Sequence, residues 1–340
     1  MDMDRKSLVY RGTSPDTTTV DQALRILPDG EWVVIFVTGG TAEPRKENYI
    51  ALCRSSDRGE SWADAETVLR YDDKACVLTE AFLHDGTLTV YVSSHDGHFG
   101  DWQVSTIEST DGGRSWTEPV PFEPLPRRTF VRNIYVATWG DWIMPYQTYD
   151  TVEDPAVSPL DDGSHKLAMN GTLVSSDQGR TWVGSNRIGP LSGWAENNVV
   201  ELSDGRLVML ARSDWTGKLF RSESRDQGRT WADFEPTDIP NPSCKARLWR
   251  LDDGRIVLIH NPNSATSHPN SKFLAGCHRN PLAIWISDDD METWGYRRIL
   301  TDFPGMLAYP DGVVDPEGGW VHFAFDYNRH DVIYWGAKLP

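Results

Sequence analysis

The sequence predicts an all-β fold, a six-bladed β-propeller of four-stranded antiparallel blades, and three observations predict it. A tetrad spaced S-x-D-x-G-x-x-W recurs at Ser55/Asp57/Gly59/Trp62, Ser109/Asp111/Gly113/Trp116, Ser175/Asp177/Gly179/Trp182 and Ser224/Asp226/Gly228/Trp231. A fifth copy, Ser287/Asp289/Met291/Trp294, has lost its Gly. The copies lie roughly 50 to 65 residues apart, too long a period for helical solenoids and suited to propeller blades. Out of phase with them run six Gly-bearing turns: Pro28-Asp29-Gly30, His84-Asp85-Gly86, Trp139-Gly140-Asp141, Ser203-Asp204-Gly205, Asp252-Asp253-Gly254 and Glu317-Gly318-Gly319. The third observation is what flanks these turns: short apolar, β-branched runs such as Trp32-Val33-Val34-Ile35-Phe36, Leu207-Val208-Met209-Leu210 and Ile256-Val257-Leu258-Ile259, which read as strands.

Each unit therefore reads as an inner hairpin, A–B, turning at the Gly-bearing corner, followed by an outer hairpin, C–D, turning at the tetrad. Asp-Gly between apolar runs marks a hairpin because Gly accepts the positive φ of a tight turn. Six A–B turns give six blades. After its A–B turn the last blade has one more strand, near Val332 to Trp335, before the chain ends. Its missing outer strand is expected to come from Ser7-Leu8-Val9-Tyr10, closing the ring and removing an exposed sheet edge. In the tetrad, the Asp carboxylate is expected to bond the amides of its own turn, and Trp to pack over the turn and between blades. Met291 predicts a weakened fifth turn. Several of the 15 tryptophans are thus structural and do not signal a sugar platform. One domain spanning residues 1–340 is expected.

Bulk composition narrows the function. A net charge of −17 disfavours nucleic acid, whose phosphates call for a basic surface. No apolar run approaches the roughly 20 residues of a membrane span, so no membrane partner is expected. The opening residues Met1-Asp2-Met3-Asp4-Arg5-Lys6 precede no apolar stretch, so a secretory leader is not read there and a cytoplasmic location is the expectation. Cys53, Cys76, Cys244 and Cys277 form no C-x-x-C pair or zinc-like spacing and read as buried thiols. No cofactor and no metal is expected.

Blade topology sorts the chemistry. In such a blade the A–B and C–D turns share one end, while the B–C loops and the D–A crossings between blades share the other. The repetitive corners occupy the first end, so non-repetitive polar residues are expected at the second. The B–C segments carry Gly39-Gly40-Thr41-Ala42-Glu43, His95-Asp96-Gly97-His98, a long loop near 148–166, Arg212-Ser213-Asp214-Trp215, a second long loop over 261–279, and Tyr327-Asn328-Arg329-His330. Loops of that length without secondary structure are usually lids or binding loops. The crossings carry residues 128–133, Trp194-Ala195-Glu196-Asn197, residues 241–245 and Leu307-Ala308-Tyr309. His95 and His98, two imidazoles in a loop without a third clear ligand, fit hydrogen bonds to sugar hydroxyls better than a metal site.

With these motifs the chain resembles the sialidase-like superfamily of BNR, or Asp-box, six-bladed propellers, along its whole length. In that family a Glu, then an arginine after the next hairpin, mark blade 4; here Trp194-Ala195-Glu196-Asn197-Asn198 runs through Asp204-Gly205 to Leu210-Ala211-Arg212. The family's next arginine precedes the strand into a late Asp-box, matching Arg279 in His278-Arg279-Asn280-Pro281-Leu282. Its tyrosine nucleophile opens the final blade, matching Tyr309 in Ala308-Tyr309-Pro310. The resemblance implies that Tyr309 is the nucleophile and Glu196 the carboxylate that takes its proton, since a phenol is weak at neutral pH until a base activates it. It also implies that Arg212 and Arg279 grip a substrate carboxylate, as guanidinium geometry favours. The match fails in blade 1. The family's F/Y-R-I-P arginine has no counterpart in Thr19-Val20-Asp21-Gln22-Ala23-Leu24, and Arg132, in Phe130-Val131-Arg132-Asn133, is the substitute the sequence offers. Glu43 lies nearest the place of the family's acid/base group, with Glu47 a poorer fit. In its Gly39-Gly40-Thr41-Ala42-Glu43 loop and Asn241-Pro242-Ser243 segment the chain is closer to the "predicted neuraminidase" relatives than to true sialidases.

The expectation is therefore a sialidase-like glycoside hydrolase acting in exo mode on a terminal acidic or modified sugar, with an aryl sialoside a poor substrate because the blade 1 arginine is missing. Two alternatives stay open. One is a polysaccharide lyase on uronate-containing glycans, with Tyr309 or a His taking the C5 proton; the other is a non-catalytic glycan-binding propeller. The expected partner in every case is a carbohydrate, anionic in the first two.

Overall fold

The chain is a six-bladed β-propeller with antiparallel blades. The computed structural model describes residues 4–97, 100–149, 167–265, 278–315 and 318–340. In chain order, β1 (Arg5–Arg11) comes first. Blade 1 is β2 (Thr19–Ile26), β3 (Trp32–Thr38), β4 (Tyr49–Ser55) and β5 (Glu66–Leu69). Blade 2 is β6 (Ala75–His84), β7 (Thr87–His95), β8 (Gln103–Ser109) and β9 (Val120–Pro121). Blade 3 has β10 (Thr129–Val131), β11 (Tyr135–Val136), β12 (Trp142–Tyr149), β13 (Leu167–Ser175), β14 (Val183–Gly184) and β15 (Ile188–Ser192). Its A and D strands are each split in two. Blade 4 is β16 (Asn197–Glu201), β17 (Leu207–Arg212), β18 (Lys218–Ser224) and β19 (Glu235–Pro240). Blade 5 is β20 (Arg247–Arg250), β21 (Ile256–His260), β22 (Ala283–Ser287) and β23 (Tyr296–Ile299). Blade 6 is β24 (Leu307–Val314), β25 (Trp320–Tyr327) and β26 (Asp331–Lys338), completed by β1, which pairs Ser7 with Tyr334 and Leu8 with Ile333. The N-terminal strand is thus the outer strand of the last blade, as its place in the repeat predicts.

Two compact units are distinguished, Met1–Glu123 with Met306–Pro340, and Pro124–Gly305. The first holds blades 1, 2 and 6, the second blades 3, 4 and 5. Within each, blades pack face to face, so an inner strand has two buried faces and reads as a continuous apolar run. Strand β3 is buried at every residue. In blade 4 the two faces separate with period two. Val199, Leu207 and Met209 pack with Ile143, Val174 and Trp231 towards blade 3. Val200, Val208 and Leu210 pack with Leu248, Leu258 and Trp285 towards blade 5. Each such side chain contributes about 1.5–3 kcal/mol by leaving water. The buried thiols behave as hydrophobes: burial pushes Cys53 and Cys76 up to about 12. Cys277 lies outside the described residues.

The tetrad closes by hydrogen bonds its spacing only partly announces. In blade 1 the Ser55 hydroxyl accepts from the Gly59 amide at 2.8 Å and donates to Asp57 Oδ1 at 2.7 Å. Asp57 then accepts the Ser61 amide at 2.9 Å and the Ser61 hydroxyl at 2.5 Å. The same hydroxyl, four residues after Asp, recurs as Ser115, Thr181, Thr230 and Thr293. Trp231 reaches the neighbouring blade, donating from Nε1 to Thr172 Oγ1 at 2.9 Å. The fifth turn is not weakened. Met291 takes a φ of 67° and its amide still donates to Ser287 Oγ at 2.9 Å. Its side chain is buried with Trp294 between blades 4 and 5, and this packing offsets the roughly 1–2 kcal/mol of a left-handed residue.

These turns fix a pH prediction. Hydrogen bonds from Ser61, then from Ser55, hold Asp57 down at about 2, below the ordinary value of about 3.9. A depressed carboxylate stabilises above the unfolded value and loses that contribution as pH falls through the folded one. Urea unfolding should therefore show stability falling between about pH 4 and pH 2. Asp57→Asn should be less stable than the parent at pH 6, with the gap narrowing at pH 3. A gap independent of pH would count against the ionised-Asp account.

Candidate functional site

The irregular ends of the blades collect the strained backbone. Among the described residues, 13 non-glycine residues have positive φ, and six of these belong to the tetrad turns or the blade 2 hairpin. Of the other seven, Arg128, Trp215, Ser243, Tyr309, Asn328 and Arg329 lie in the B–C and D–A segments, and Asp21 on the bulge of β2. Backbone strain of this kind persists where the surroundings over-determine it, commonly at functional sites.

In the second unit, β17 ends on Arg212 and β16 begins just after Glu196, so the hairpin ladder brings them side by side: the Arg212 amide donates to the Glu196 carbonyl at 2.9 Å. Arg212 Nη1 donates to Glu196 Oε2 at 2.7 Å and Oε1 at 3.0 Å. Its Nε donates to Asp214 Oδ1. All three residues are buried. Asp214 is fixed from two sides: its amide donates to Ser192 O at 2.8 Å, and its Oδ2 accepts the Trp194 amide at 3.1 Å. Gly193 is required between them, because at its φ of 69° any Cβ would collide with the Asp214 carboxylate. Burial pushes the Asp214 carboxyl up, against the lowering pull of Arg212. Phe130, Tyr149 and Trp194 pack as an aromatic group with centroids 5.6–6.5 Å apart. Burial, then the Glu196 charge, lifts the Tyr149 phenol far above its ordinary value, so Tyr149 stays protonated.

Arg132 occupies the break between β10 and β11, its guanidinium 5.0 Å from the Phe130 ring centre. Arg247 Nη1 donates to the Arg132 carbonyl at 3.0 Å. Arg279 Nη2 donates to the Ser243 carbonyl at 2.8 Å, and Ser243 Oγ accepts the Trp215 amide at 3.0 Å. This network thus joins Arg279 to the loop that carries Asp214. Among the described residues of this end of the unit, six cations are less than a tenth exposed: Arg128, Arg132, Arg212, Lys245, Arg247 and Arg279. Among the described residues of that end, the buried acids are Glu196 and Asp214. Glu201 and Asp141, also buried, serve the opposite corners, where Glu201 holds Thr138 and Asp141 faces Arg229.

In the first unit, Tyr309 sits on a bulge of β24 with a φ of 59°. Gln22, on the matching bulge of β2, donates to the Tyr309 carbonyl and, at 3.2 Å, to that of Ala308. Two residues on, Asp311 accepts from Arg25 at 2.8 Å; Arg25 also pairs with Glu80 at 2.5 Å. So the blade 1 strand that lacks the family arginine braces the backbone of Tyr309 instead. Glu43 Oε2 lies 2.8 Å from Arg329 Nη1 in the β25–β26 turn. Burial alone would lower Arg329, but Glu43 first, then Asp326, Tyr309 and Asp21, hold it above its usual range.

The expected residues thus divide into two sets. Glu196 touches Arg212, and Arg132 and Arg279 belong to the same unit. Tyr309 and Glu43 share Arg329 as a neighbour. His95 is buried, and its Nδ1 accepts the Gly97 amide at 3.1 Å, so the neutral ring carries its proton on Nε2. His98 lies outside the described residues. Among the described residues no cluster of His, Cys, Asp and Glu fits a metal ion. Asp214, Arg247, Arg329 and Gln22 are functional candidates that sequence reasoning did not single out.

Fold and repeat together define a propeller of the sialidase-like superfamily. The BNR repeat-like domain model matches residues 30–323, and the chain belongs to that family. It is 24% identical over 316 residues to a sialidase of Clostridium perfringens, covering 84% of this chain and 77% of the relative. It is 25% identical over 344 residues to a sialidase of Paraclostridium sordellii, covering 92% and 80%. The structure of a Hadza microbial sialidase superposes with a TM-score of 0.77 at 17% identity, over 97% of this chain and 68% of that one, a likeness of fold.

Proposed function

We propose that the chain is a sialidase-like glycoside hydrolase that releases a terminal acidic sugar. One observation carries this reading: in a chain of net charge −17, the ligand-facing end of the second unit buries six cations against two acids among its described residues. A lining rich in arginine suits an anionic ligand, because guanidinium groups donate charge-assisted, bidentate bonds to a carboxylate. The sialidase names of the sequence relatives support the reaction class. In the proposed roles, Tyr309 attacks the anomeric carbon, Glu196 takes its proton, and Glu43 protonates the leaving oxygen. Arg279 and Arg132 hold the sugar's carboxylate, and Arg212, engaged by Glu196 and Asp214, contributes what geometry leaves to it. Sialidases are known exceptions to the two-carboxylate rule for glycosidases, using tyrosine this way.

The test is a panel of aryl glycosides: a sialoside, a glucuronide and a galactoside. Turnover is expected on an acidic sugar, low on the sialoside, and absent on the neutral galactoside. Arg279→Ala and Arg132→Ala should each raise KM for the acidic sugar about 10- to 100-fold, the value of one charged hydrogen bond, with kcat less affected. Equal or better turnover of the galactoside would sink the proposal. An unsaturated product absorbing in the ultraviolet would replace hydrolysis by elimination.

A further inference from the structure

We infer that Asp214 is a positioning residue: through Arg212 it fixes where the Glu196 carboxylate stands, and the turn after β17 is built to hold it there. The inference rests on the proposed role of Glu196 as the base that takes the proton of Tyr309.

Arg212 meets the two acids with different atoms. Its Nη1 faces both oxygens of Glu196, at 2.7 and 3.0 Å, while its Nε donates to Asp214 Oδ1. A guanidinium is a rigid planar fork. Once Nε is held, the direction of Nη1 follows, and with it the place of Glu196. The other oxygen of Asp214 is also used: Oδ2 accepts the Trp194 amide at 3.1 Å, two residues before Glu196. One carboxylate thus ties the guanidinium at the end of β17 to the chain entering β16.

The surrounding backbone keeps this carboxylate in place. The Asp214 amide donates to the Ser192 carbonyl at 2.8 Å, and the Ser192 amide to Ser213 Oγ at 3.3 Å. Next in the chain, Trp215 takes a φ of 63°, and its amide donates to Ser243 Oγ at 3.0 Å. The turn is therefore braced by β15 and by the crossing after β19, and Gly193 leaves the carboxylate its room.

Stability alone does not ask for this acid. Glu196 already pairs with Arg212, so Asp214 sets a second negative charge against one guanidinium. Burial, the largest influence, pushes its carboxyl up despite Arg212, and Glu196 adds to the rise. A carboxyl raised by folding binds protons that the unfolded chain has released, so at neutral pH it costs stability. A charge held at such a cost, with each oxygen aimed at a named donor, fits a residue kept for the site.

The test is a double-mutant cycle, read on the acidic aryl glycoside that the parent protein turns over. Asparagine offers one acceptor oxygen where aspartate offers two, so Asp214→Asn cannot serve both Arg212 Nε and the Trp194 amide. It should lower kcat about 10- to 100-fold, as a misplacement of about 1 Å does, with KM changed less than about threefold. In a Glu196→Gln background, with no base left to position, the same substitution should cost less than about threefold. Its urea midpoint should stay well above that of Arg212→Met, because Arg212 and Glu196 remain paired. Gly193→Ala, which keeps every polar group but crowds the Asp214 carboxylate, should also lower kcat and spare KM. Unchanged kcat in Asp214→Asn, or an equal loss in both backgrounds, overturns this inference while leaving the hydrolase reading intact. A raised KM with kcat retained also overturns it, and makes Arg212 a substrate clamp. Failure of the parent to turn over any acidic glycoside overturns both.

Discussion

Arg212→Met should destabilise the protein by about 3–5 kcal/mol at neutral pH, the cost of removing one partner from a buried ion cluster. Methionine fills similar volume, so the loss is not a cavity effect. It arises because Arg212 serves two carboxylates at once, Glu196 through Nη1 and Asp214 through Nε, with all three side chains less than a tenth exposed. Without the guanidinium, both buried acids lose the partner they share, and it no longer offsets their mutual repulsion. They must then bind protons in the folded state that the unfolded chain releases above about pH 4. A folded state that binds more protons loses stability as pH rises, so the deficit should grow from pH 5 to pH 8. Adding Glu196→Gln and Asp214→Asn to Arg212→Met should recover most of the stability. Urea unfolding of these variants at the two pH values checks both statements. A deficit below about 1 kcal/mol, or one indifferent to pH, would mean the cluster is not the buried charged group described.

The sequence displays this fold because its signals are local. A tetrad closes within eight residues, an A–B corner within four, and an inner strand declares itself as an apolar run because both its faces are covered. Even so, two local facts were hidden. The hydroxyl four residues after each Asp is as regular as the tetrad itself, from Ser61 to Thr293, and aligning the repeats would have exposed it. Met291 reads as a defect on backbone conformation alone; its burial beside Trp294 decides otherwise. The site was legible only where a family motif named it. Arg212 finds Glu196 because a single hairpin joins them. Asp214, in the same turn, is recognisable only once Ser192 and Trp194 are seen to fix it. Gln22 with Tyr309, and Glu43 with Arg329, are separated by 287 and 286 residues. No spacing encodes such pairs; the return of the chain from blade 6 to blade 1 makes them.

Tyr309→Phe should lower kcat by at least about 10³-fold on whichever acidic glycoside is turned over, since loss of a nucleophile typically costs that much or more, while stability shifts by less than about 1 kcal/mol. The two halves of this expectation have separate physical origins. The φ of 59° at Tyr309 costs roughly 1–2 kcal/mol for any residue with a Cβ, and phenylalanine bears the same cost. The anchors that offset it act on the backbone: Gln22 binds the carbonyls of Ala308 and Tyr309, and Arg25 fixes Asp311 two residues on. None of these bonds involves the phenol oxygen. The substitution therefore removes one hydroxyl from a frame that is held independently of it. Gln22→Met tests the frame from the other side. With the hydroxyl kept and the carbonyls unanchored, kcat should fall about tenfold and KM change little, the signature of a positioning residue. Retention of more than about a tenth of the activity in Tyr309→Phe would remove Tyr309 from the chemistry. The strained bulge of β24 would then need another explanation.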